Sequence, residues 1–183
     1  MRIAPLRGTH QGDVRSLLEA TRSFSSDEVD VALELFDLCH PGRGEGSAPS
    51  GQSEGVELAV AAPDYECIGA FDDSTLIGYA CFGPTPSTSG TFDLYWLAVR
   101  PAAQGRGAGR ALLQWVEAGL QERGARLLVV ETSSRTEYSQ AREFYARGGY
   151  TEAARVRDFY APADDRVILT TRLTARERGV ATR

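Results

Sequence analysis

The chain has 183 residues, 42% of them hydrophobic and 25% charged, which is ordinary for a globular domain with a hydrophobic core. Its net charge of −5 argues against a nucleic-acid partner and favours a cationic or neutral ligand. No apolar run approaches the roughly 20 residues of a membrane helix, and the N-terminus lacks a hydrophobic signal core, so we expect a cytoplasmic protein without a membrane partner.

The N-terminal part of the chain has the patterns of one strand and two helices. Residues 2–6 alternate weakly and predict a strand, and apolar residues at helical spacing from Val14 predict a short helix. Ser25 and Glu28 have the spacing of a capping box, which predicts that a second helix begins there. Residues 42–55 are rich in glycine and serine, so we expect a mobile surface loop.

The rest of the chain has stronger strand and helix patterns. In chain order these predict a hairpin of residues 65–71 and 75–82, a strand 91–99, a helix ending at 123, a strand 126–131, a helix 137–147 and a hairpin of 151–160 and 166–173. Because a helix connects strands 91–99 and 126–131, we expect these two strands to be parallel. Residues 174–183 are polar and are expected to fray.

A glycine-rich segment, residues 104–109, lies between strand 91–99 and the helix that follows it. Its three glycines occupy every second position and let the main chain approach a bulky anion without a Cβ in the way. The start of the helix adds free N–H groups and the positive end of the helix dipole. Arg106 and Arg110 add positive charge. The pattern predicts a binding site for a phosphate or diphosphate.

Two common phosphate-binding motifs fit this segment poorly. The nucleoside-triphosphate loop requires a lysine, and the chain contains none. The dinucleotide motif requires a third glycine where this chain has Leu112, although Gly107 and Gly109 match its first two. Glu131 stands where the ribose-binding acid would be, so a dinucleotide-dependent reductase stays open as an alternative.

A third pattern, Gln/Arg-x-x-Gly-x-Gly/Ala, matches Gln104 to Gly109 at every position. From Tyr79 to Leu173 the chain resembles the GNAT superfamily of acyl-CoA-dependent N-acyltransferases. The resemblance implies an α/β (α+β) fold with the order β-α-α-β-β-β-α-β-α-β-β, in which a mixed, mostly antiparallel central sheet has helices on both faces. We expect one such domain over residues 1–183. The resemblance also places residues 42–55 beside the acceptor pocket, as a substrate lid or as a plain connection.

The resemblance further implies that acetyl-CoA is the co-substrate and that no metal takes part. In the family, main-chain amides of the glycine-rich loop hold the coenzyme A pyrophosphate, and the preceding strand pairs with the pantetheine arm. The positions that would bind the cofactor are Leu97, Ala98, Val99, Gln104, Gly105, Arg106, Gly107, Ala108, Gly109 and Arg110.

Tyr145 is the candidate for the acid that protonates the leaving thiolate. It lies in a segment, residues 141–150, that resembles the family signature Ala-x-x-x-Tyr-x-x-x-Gly-Phe/Tyr. The resemblance implies that its hydroxyl points at the coenzyme sulfur. The alternative is a core aromatic whose hydroxyl bonds to a neighbour.

Two carboxylates are candidates for the base that removes a proton from the amine. Asp93 lies six residues before Val99, where histone-type members of the superfamily carry a glutamate, and Glu131 ends the next strand. A carboxylate among apolar strand residues tends to have a raised pKa, which suits a base. The alternatives are a surface position for Asp93, an arginine partner or an ammonium anchor for Glu131, and a chain of water molecules.

Two further segments depart from the family pattern or extend it. Many relatives have an asparagine where this chain has Tyr138, so Ser133 or Ser134 is an alternative contact for the pantetheine. Residues 158–165 resemble the ending of a branch of small bacterial members, but ordinary turn and surface roles are the preferred interpretation of their aspartates and of Tyr160.

The sequence therefore predicts an acetyl-CoA-dependent N-acetyltransferase that acts on a primary amine of a small molecule or peptide by direct attack in a ternary complex. A non-catalytic sensor that binds acyl-CoA is an alternative. A homodimer through the terminal strands stays open. Cys39, Cys67 and Cys81 are odd in number and far apart in the chain, so we predict neither a disulfide framework nor a metal site.

Overall fold

The computed structural model describes residues 1–40 and 65–173. The strands are β1 (Arg2–Pro5), β2 (Glu66–Asp72), β3 (Thr75–Pro84), β4 (Thr91–Val99), β5 (Leu127–Ser133), β6 (Thr151–Ala161) and β7 (Asp164–Arg172). The α-helices are α1 (Gln11–Thr21), α2 (Ser26–Leu38), α3 (Ala108–Glu122) and α4 (Ser139–Arg147). The seven strands form one sheet in the order β1-β2-β3-β4-β5-β7-β6.

The predicted fold class is confirmed. The β4–β5 pair is parallel, as expected, while the other neighbouring strands pair antiparallel. The predictions for residues 42–55 and 174–183 fall outside the described residues. No helix among those described is long and apolar enough to cross a membrane, and the cytoplasmic location stays a prediction.

Helix α2 begins at the predicted capping box. The Ser25 Oγ accepts a hydrogen bond from the Glu28 N–H at 3.2 Å, and the Glu28 carboxylate accepts one from the Ser25 N–H at 2.7 Å. These two bonds satisfy main-chain donors that the first turn of a helix cannot pair internally. The cap therefore fixes where α2 starts, and with it the position of the Glu28 side chain.

Hydrophobic packing covers both faces of the sheet. On one face α3 buries Leu112, Val116 and Leu120 completely, and on the other α1 and α2 bury Leu17 and Phe36 completely. Each such side chain contributes roughly 1.5–3 kcal/mol relative to an exposed position. The sheet is thus held between two packed layers.

Strands β4 and β5 pair over only part of their length. Their ladder joins Thr91–Leu94 to residues 127–130 and then stops. The β3–β4 register skips Tyr95, which marks a β-bulge at the same point. From Tyr95 to Val99, β4 has β3 as its neighbour on one side and none of the described strands on the other. The middle of the sheet is therefore open along one edge of β4.

Strand β6 forms one edge of the sheet, and its residues are exposed along its whole length. Val156, Phe159 and Tyr160 expose nearly half of their surface. The predicted homodimer through the terminal strands stays a prediction.

Candidate active site

A cleft of about 600 Å³ lies where β4 and β5 part. Residues 94–99 of β4 form one wall and residues 130–133 of β5 form another. The segment before α2, the helix α4 and the β6–β7 turn also contribute to the lining. The bulge and the short β4–β5 ladder are the structural causes of the opening, because an unbroken parallel pair would fill it.

The glycine-rich loop leads from one end of this cleft into α3. Gly105 and Gly107 have φ values of +72° and +86°, a region that favours glycine over other residues. None of the main-chain N–H groups from Gly105 to Arg110 donates a hydrogen bond of good geometry within the described residues. Because these donors coincide with the start of a helix, they form a site suited to an anion.

Side chains around the loop fix its position and add charge. The Gln104 amide donates to the Val99 carbonyl at 3.2 Å, which ties the loop to the end of β4. The Arg106 guanidinium lies 3.1 Å from the Asp72 carboxylate, and Arg110 is exposed. A Cβ on Gly109 would lie at 3.5 Å from Phe144, so this position is close to α4. The loop's amides and arginines fit a diphosphate.

Leu97, Ala98 and Val99 line the cleft with the unpaired edge of β4. An extended ligand with amide groups can pair with such an edge as an additional strand would. The end of this β4 edge is joined to the glycine-rich loop by the hydrogen bond from the Gln104 amide to the Val99 carbonyl. The predicted cofactor-binding positions thus lie along one continuous path.

Tyr145 lies in the cleft wall, on the buried face of α4. Its ring packs against Phe144 and Tyr150 at centroid distances of 5.1 and 5.4 Å. Burial raises the pKa of the Tyr145 phenol above its usual range, so the hydroxyl keeps its proton near neutral pH. Its hydroxyl has no hydrogen-bond partner among residues 1–40 and 65–173. The proton is therefore available for donation into the cleft.

The structure separates the two candidate bases. Asp93 is not part of the cleft wall, and its carboxylate accepts a hydrogen bond of 2.6 Å from the Thr85 hydroxyl. Glu131 does line the cleft, and its carboxylate pairs with Arg166 on β7. Of the three predicted catalytic residues, only Tyr145 and Glu131 are brought to the same cavity.

With this geometry in place, comparisons with known proteins identify the family. A model described as the acetyltransferase (GNAT) family matches residues 31–150. The chain belongs to the GNAT family of acetyltransferases. A GNAT-family protein of known structure from Desulfovibrio desulfuricans is 36% identical and has a TM-score of 0.77, with 94% of this chain and 100% of the other covered. The predicted family and enzyme class are confirmed.

More distantly similar acetyltransferase structures share the fold. A ribosomal-protein-alanine N-acetyltransferase from Escherichia coli is 18% identical, with 99% of each chain covered and a TM-score of 0.69. An aminoglycoside 6'-N-acetyltransferase complexed with coenzyme A is 14% identical, with 96% of this chain and 99% of the other covered and a TM-score of 0.69. The search among curated proteins found no match.

In this GNAT protein, the part of the cleft away from the loop is acidic, which the sequence did not reveal. Its lining contains one guanidinium, that of Arg135, and four carboxylates: those of Glu28, Glu131, Glu137 and Asp164. Glu137 pairs with Arg135 at 3.4 Å. Glu28 and Asp164 form no ion pair in the described part of the chain. No cationic side chain of the described residues therefore neutralises their negative charge.

Aromatic rings complete this acidic wall. Phe24 packs edge-on against Trp96 at 4.9 Å, and both line the cleft. The Tyr138 hydroxyl donates to the Ser23 carbonyl at 3.2 Å and lies 3.4 Å from the Glu28 carboxylate. Burial, followed by the Glu28 charge, raises the pKa of the Tyr138 phenol. Tyr138 thus connects the start of α4 to the segment before α2.

The segment of residues 158–165 contributes to the cleft as well as to a turn. Asp158 and Asp165 hold the β6–β7 turn, with Asp158 accepting from the Ala163 N–H at 2.6 Å. Asp164 is buried, accepts a hydrogen bond from the Ser133 hydroxyl and lines the cleft. Tyr160 lines it too. The turn-and-surface interpretation therefore fits Asp158 and Asp165 and is wrong for the buried Asp164, whereas Tyr160 is a surface residue that also lines the cleft.

Proposed function

We propose that this protein transfers the acetyl group of acetyl-CoA to a primary amine of a small molecule or peptide, by direct attack in a ternary complex. The observation that carries the proposal is the continuous path from the unpaired edge of β4 into the glycine-rich loop, with Tyr145 beside it. The family match and the fold shared with an acetyltransferase complexed with coenzyme A support the same donor.

The donor would lie along this path. The diphosphate would accept hydrogen bonds from the free N–H groups of residues 105–110, with Arg106 and Arg110 adding positive charge. The pantetheine amides would pair with the main chain of Leu97 to Val99. This arrangement brings the thioester into the cleft, between β4 and β5.

The transfer removes two protons from the acceptor nitrogen and supplies one to the sulfur. The ammonium of the acceptor first loses a proton, its nitrogen then forms a bond to the acyl carbon, and the nitrogen loses its second proton to solvent as the amide forms. When the carbon–sulfur bond breaks, the sulfur takes a proton from the Tyr145 hydroxyl, and solvent later returns a proton to the phenolate. The raised pKa of this phenol keeps it protonated and therefore ready to act as the acid.

We propose Glu131 rather than Asp93 as the carboxylate that receives the amine proton, because Glu131 is the one of these two candidates that lines the cleft. Arg166 fixes the orientation of the Glu131 carboxylate. Replacing Glu131 with Gln should lower kcat/KM and move the rise of the rate to higher pH, whereas Asp93→Asn should leave both unchanged. The reverse result would transfer the role to Asp93.

The acceptor is proposed to be cationic. Glu28 and Asp164 supply negative charge without a local counter-ion, and the rings of Trp96, Tyr138 and Tyr160 offer faces that attract an ammonium group. An amine in its protonated form would thus be concentrated in the cleft before it loses its proton.

Release of free thiol from acetyl-CoA, measured against a panel of mono-, di- and polyamines and peptides, tests the proposed activity. We expect turnover with at least one cationic amine, and saturable binding of coenzyme A by calorimetry. Binding without turnover for any amine would favour the acyl-CoA sensor. Absence of binding to coenzyme A and to acetyl-CoA would contradict both.

A further inference from the structure

All three cysteines of the chain meet in one cluster outside the cleft. Cys67 on β2 and Cys81 on β3 are cross-strand partners, and Cys39 directly follows α2, which packs on the same face. The three Sγ atoms lie within 4.8 Å of one another. The sequence did not predict this cluster, because the contacts depend on strand pairing and helix packing between positions far apart in the chain.

The surroundings of the cluster are mostly apolar. Cys81 and Cys67 are buried, and Cys39 is half-buried. The Tyr79 hydroxyl lies 3.7 Å from the Cys67 Sγ. Both ring nitrogens of His40 contact main-chain carbonyl oxygens, at 2.8 and 3.0 Å, so neither is free to act as a further ligand. The cluster therefore offers three sulfur ligands and no free imidazole.

We propose that these three thiols bind one Cu(I) ion in a three-coordinate site. Thiolate sulfur is a soft ligand that selects Cu(I) and zinc over hard cations. Zinc in proteins is almost always four-coordinate when it is structural, and this cluster supplies only three sulfurs. Copper(I) has no such requirement for a fourth ligand, so the number of sulfurs favours Cu(I).

The observed spacing is close to what such a site requires. With metal–sulfur bonds of about 2.3 Å, three sulfurs around one ion lie about 4.0 Å apart. The separation within the cluster, at most 4.8 Å, needs only a small contraction to reach that value. The ion would enter at the half-exposed Cys39. Each S–H group that becomes a ligand releases its proton to solvent.

The site is separate from the proposed acetyl transfer, because none of the three cysteines lines the cleft. Anaerobic titration of the reduced protein with Cu(I), in competition with a chromophoric Cu(I) chelator, tests it. We expect one ion per chain, and X-ray absorption of the loaded protein should find three sulfur neighbours. Lack of saturable binding, or zinc bound with a fourth nitrogen or oxygen ligand in place of Cu(I), would overturn the proposal.

Two variants sharpen the test. Cys39→Ser changes the most exposed ligand and should weaken Cu(I) binding by more than about tenfold, since even outer-shell changes at metal sites cost roughly 10–100-fold. Tyr79→Phe removes the neighbouring hydroxyl but keeps all three thiols, so it should bind as the unmodified protein does. Equal affinity of Cys39→Ser, or an ion that bridges two chains in size-exclusion chromatography, would contradict the site. The sulfur count by X-ray absorption does not depend on either variant folding.

Discussion

The two ends of the cleft are built from different kinds of atoms. At the donor end, the edge of β4 and the glycine-rich loop present main-chain groups. At the acceptor end, carboxylates and aromatic rings from segments more than a hundred residues apart meet, as Tyr138 and Glu28 do. Main-chain geometry suits a donor shared by a whole family, whereas a side-chain wall can change with the acceptor. The contrast suggests that donor and acceptor binding are separable by mutation.

The largest expected effect concerns Tyr145, between the two ends. Replacing it with Phe removes the proposed acid but keeps the ring that packs on Phe144 and Tyr150. We expect kcat to fall by about a hundredfold or more, as is usual for general acid catalysis. The dissociation constant of coenzyme A, measured by calorimetry, should stay unchanged.

Tyr150→Phe is the matched control for that variant. It also removes a buried tyrosine hydroxyl, which here donates to Glu117 at 2.9 Å and lies outside the cleft. This control should keep normal kcat. Equal losses in both variants would mean that packing of the hydroxyls, and not acid catalysis, explains the effect.

A change at Gly107 should act on the donor end alone. Its φ of +86° is unfavourable for a residue with a Cβ by roughly 1–2 kcal/mol, so Gly107→Ala should reshape the loop and weaken coenzyme A binding by about tenfold. The apparent affinity of the acceptor should change little.

Gly119→Ala provides the comparison, because a Cβ at Gly119 meets nothing within 4 Å and its backbone is helical. This substitution should raise thermal stability, since alanine favours a helix by about 0.8–1 kcal/mol over glycine. Coenzyme A affinity should be unaffected. If Gly107→Ala also bound normally, the loop would not be the diphosphate site.

A smaller effect is expected at the acceptor end. Glu28→Gln removes a charge but keeps the capping box, because glutamine serves at that position as glutamate does. The KM of a cationic amine should rise by roughly fivefold, equivalent to about 1 kcal/mol for a partly exposed charge. The KM of acetyl-CoA should not move. An equal rise for a neutral amine such as an aromatic amine would show that charge is not responsible.

The smallest expected effect is the one that the Tyr145 phenol has on the dependence of the rate on pH. The rate should rise with pH as the acceptor loses its proton. Burial raises the pKa of the Tyr145 phenol, so the acid stays protonated through the alkaline range, and no fall in rate is expected below about pH 10. A decline with a midpoint between pH 7 and 9 that disappears in Tyr145→Phe would contradict this assignment.

The sequence predicted the parts of the molecule that depend on neighbours in the chain. The capping box at Ser25, the parallel β4–β5 pair and the glycines of residues 104–109 each follow from a local pattern with a direct physical cause. The position of Asp93 outside the cleft did not follow from a local pattern, because the exact point at which β4 and β5 part decides which carboxylates reach the cleft.

The sequence did not predict the features that depend on packing between distant parts of the chain. The sequence predicts only a helix-cap role for Glu28, although this residue also lines the cleft. The local sequence favours a turn position for Asp164, whereas its burial against Ser133 depends on the pairing of β5 with β7. The cysteine cluster likewise depends on α2 lying over β2 and β3.

The short ladder between β4 and β5 also has a consequence for hydrogen exchange. Among the described residues, four residue pairs at one end, Thr91 to Leu94, are the only strand-to-strand link between the two halves of the sheet. Beyond that link the distal part of β4 lacks a strand partner on the cleft side, so its main-chain amides there are open to solvent exchange. A ligand seated in the gap would pair with these amides, so their hydrogen exchange should slow when the ligand binds.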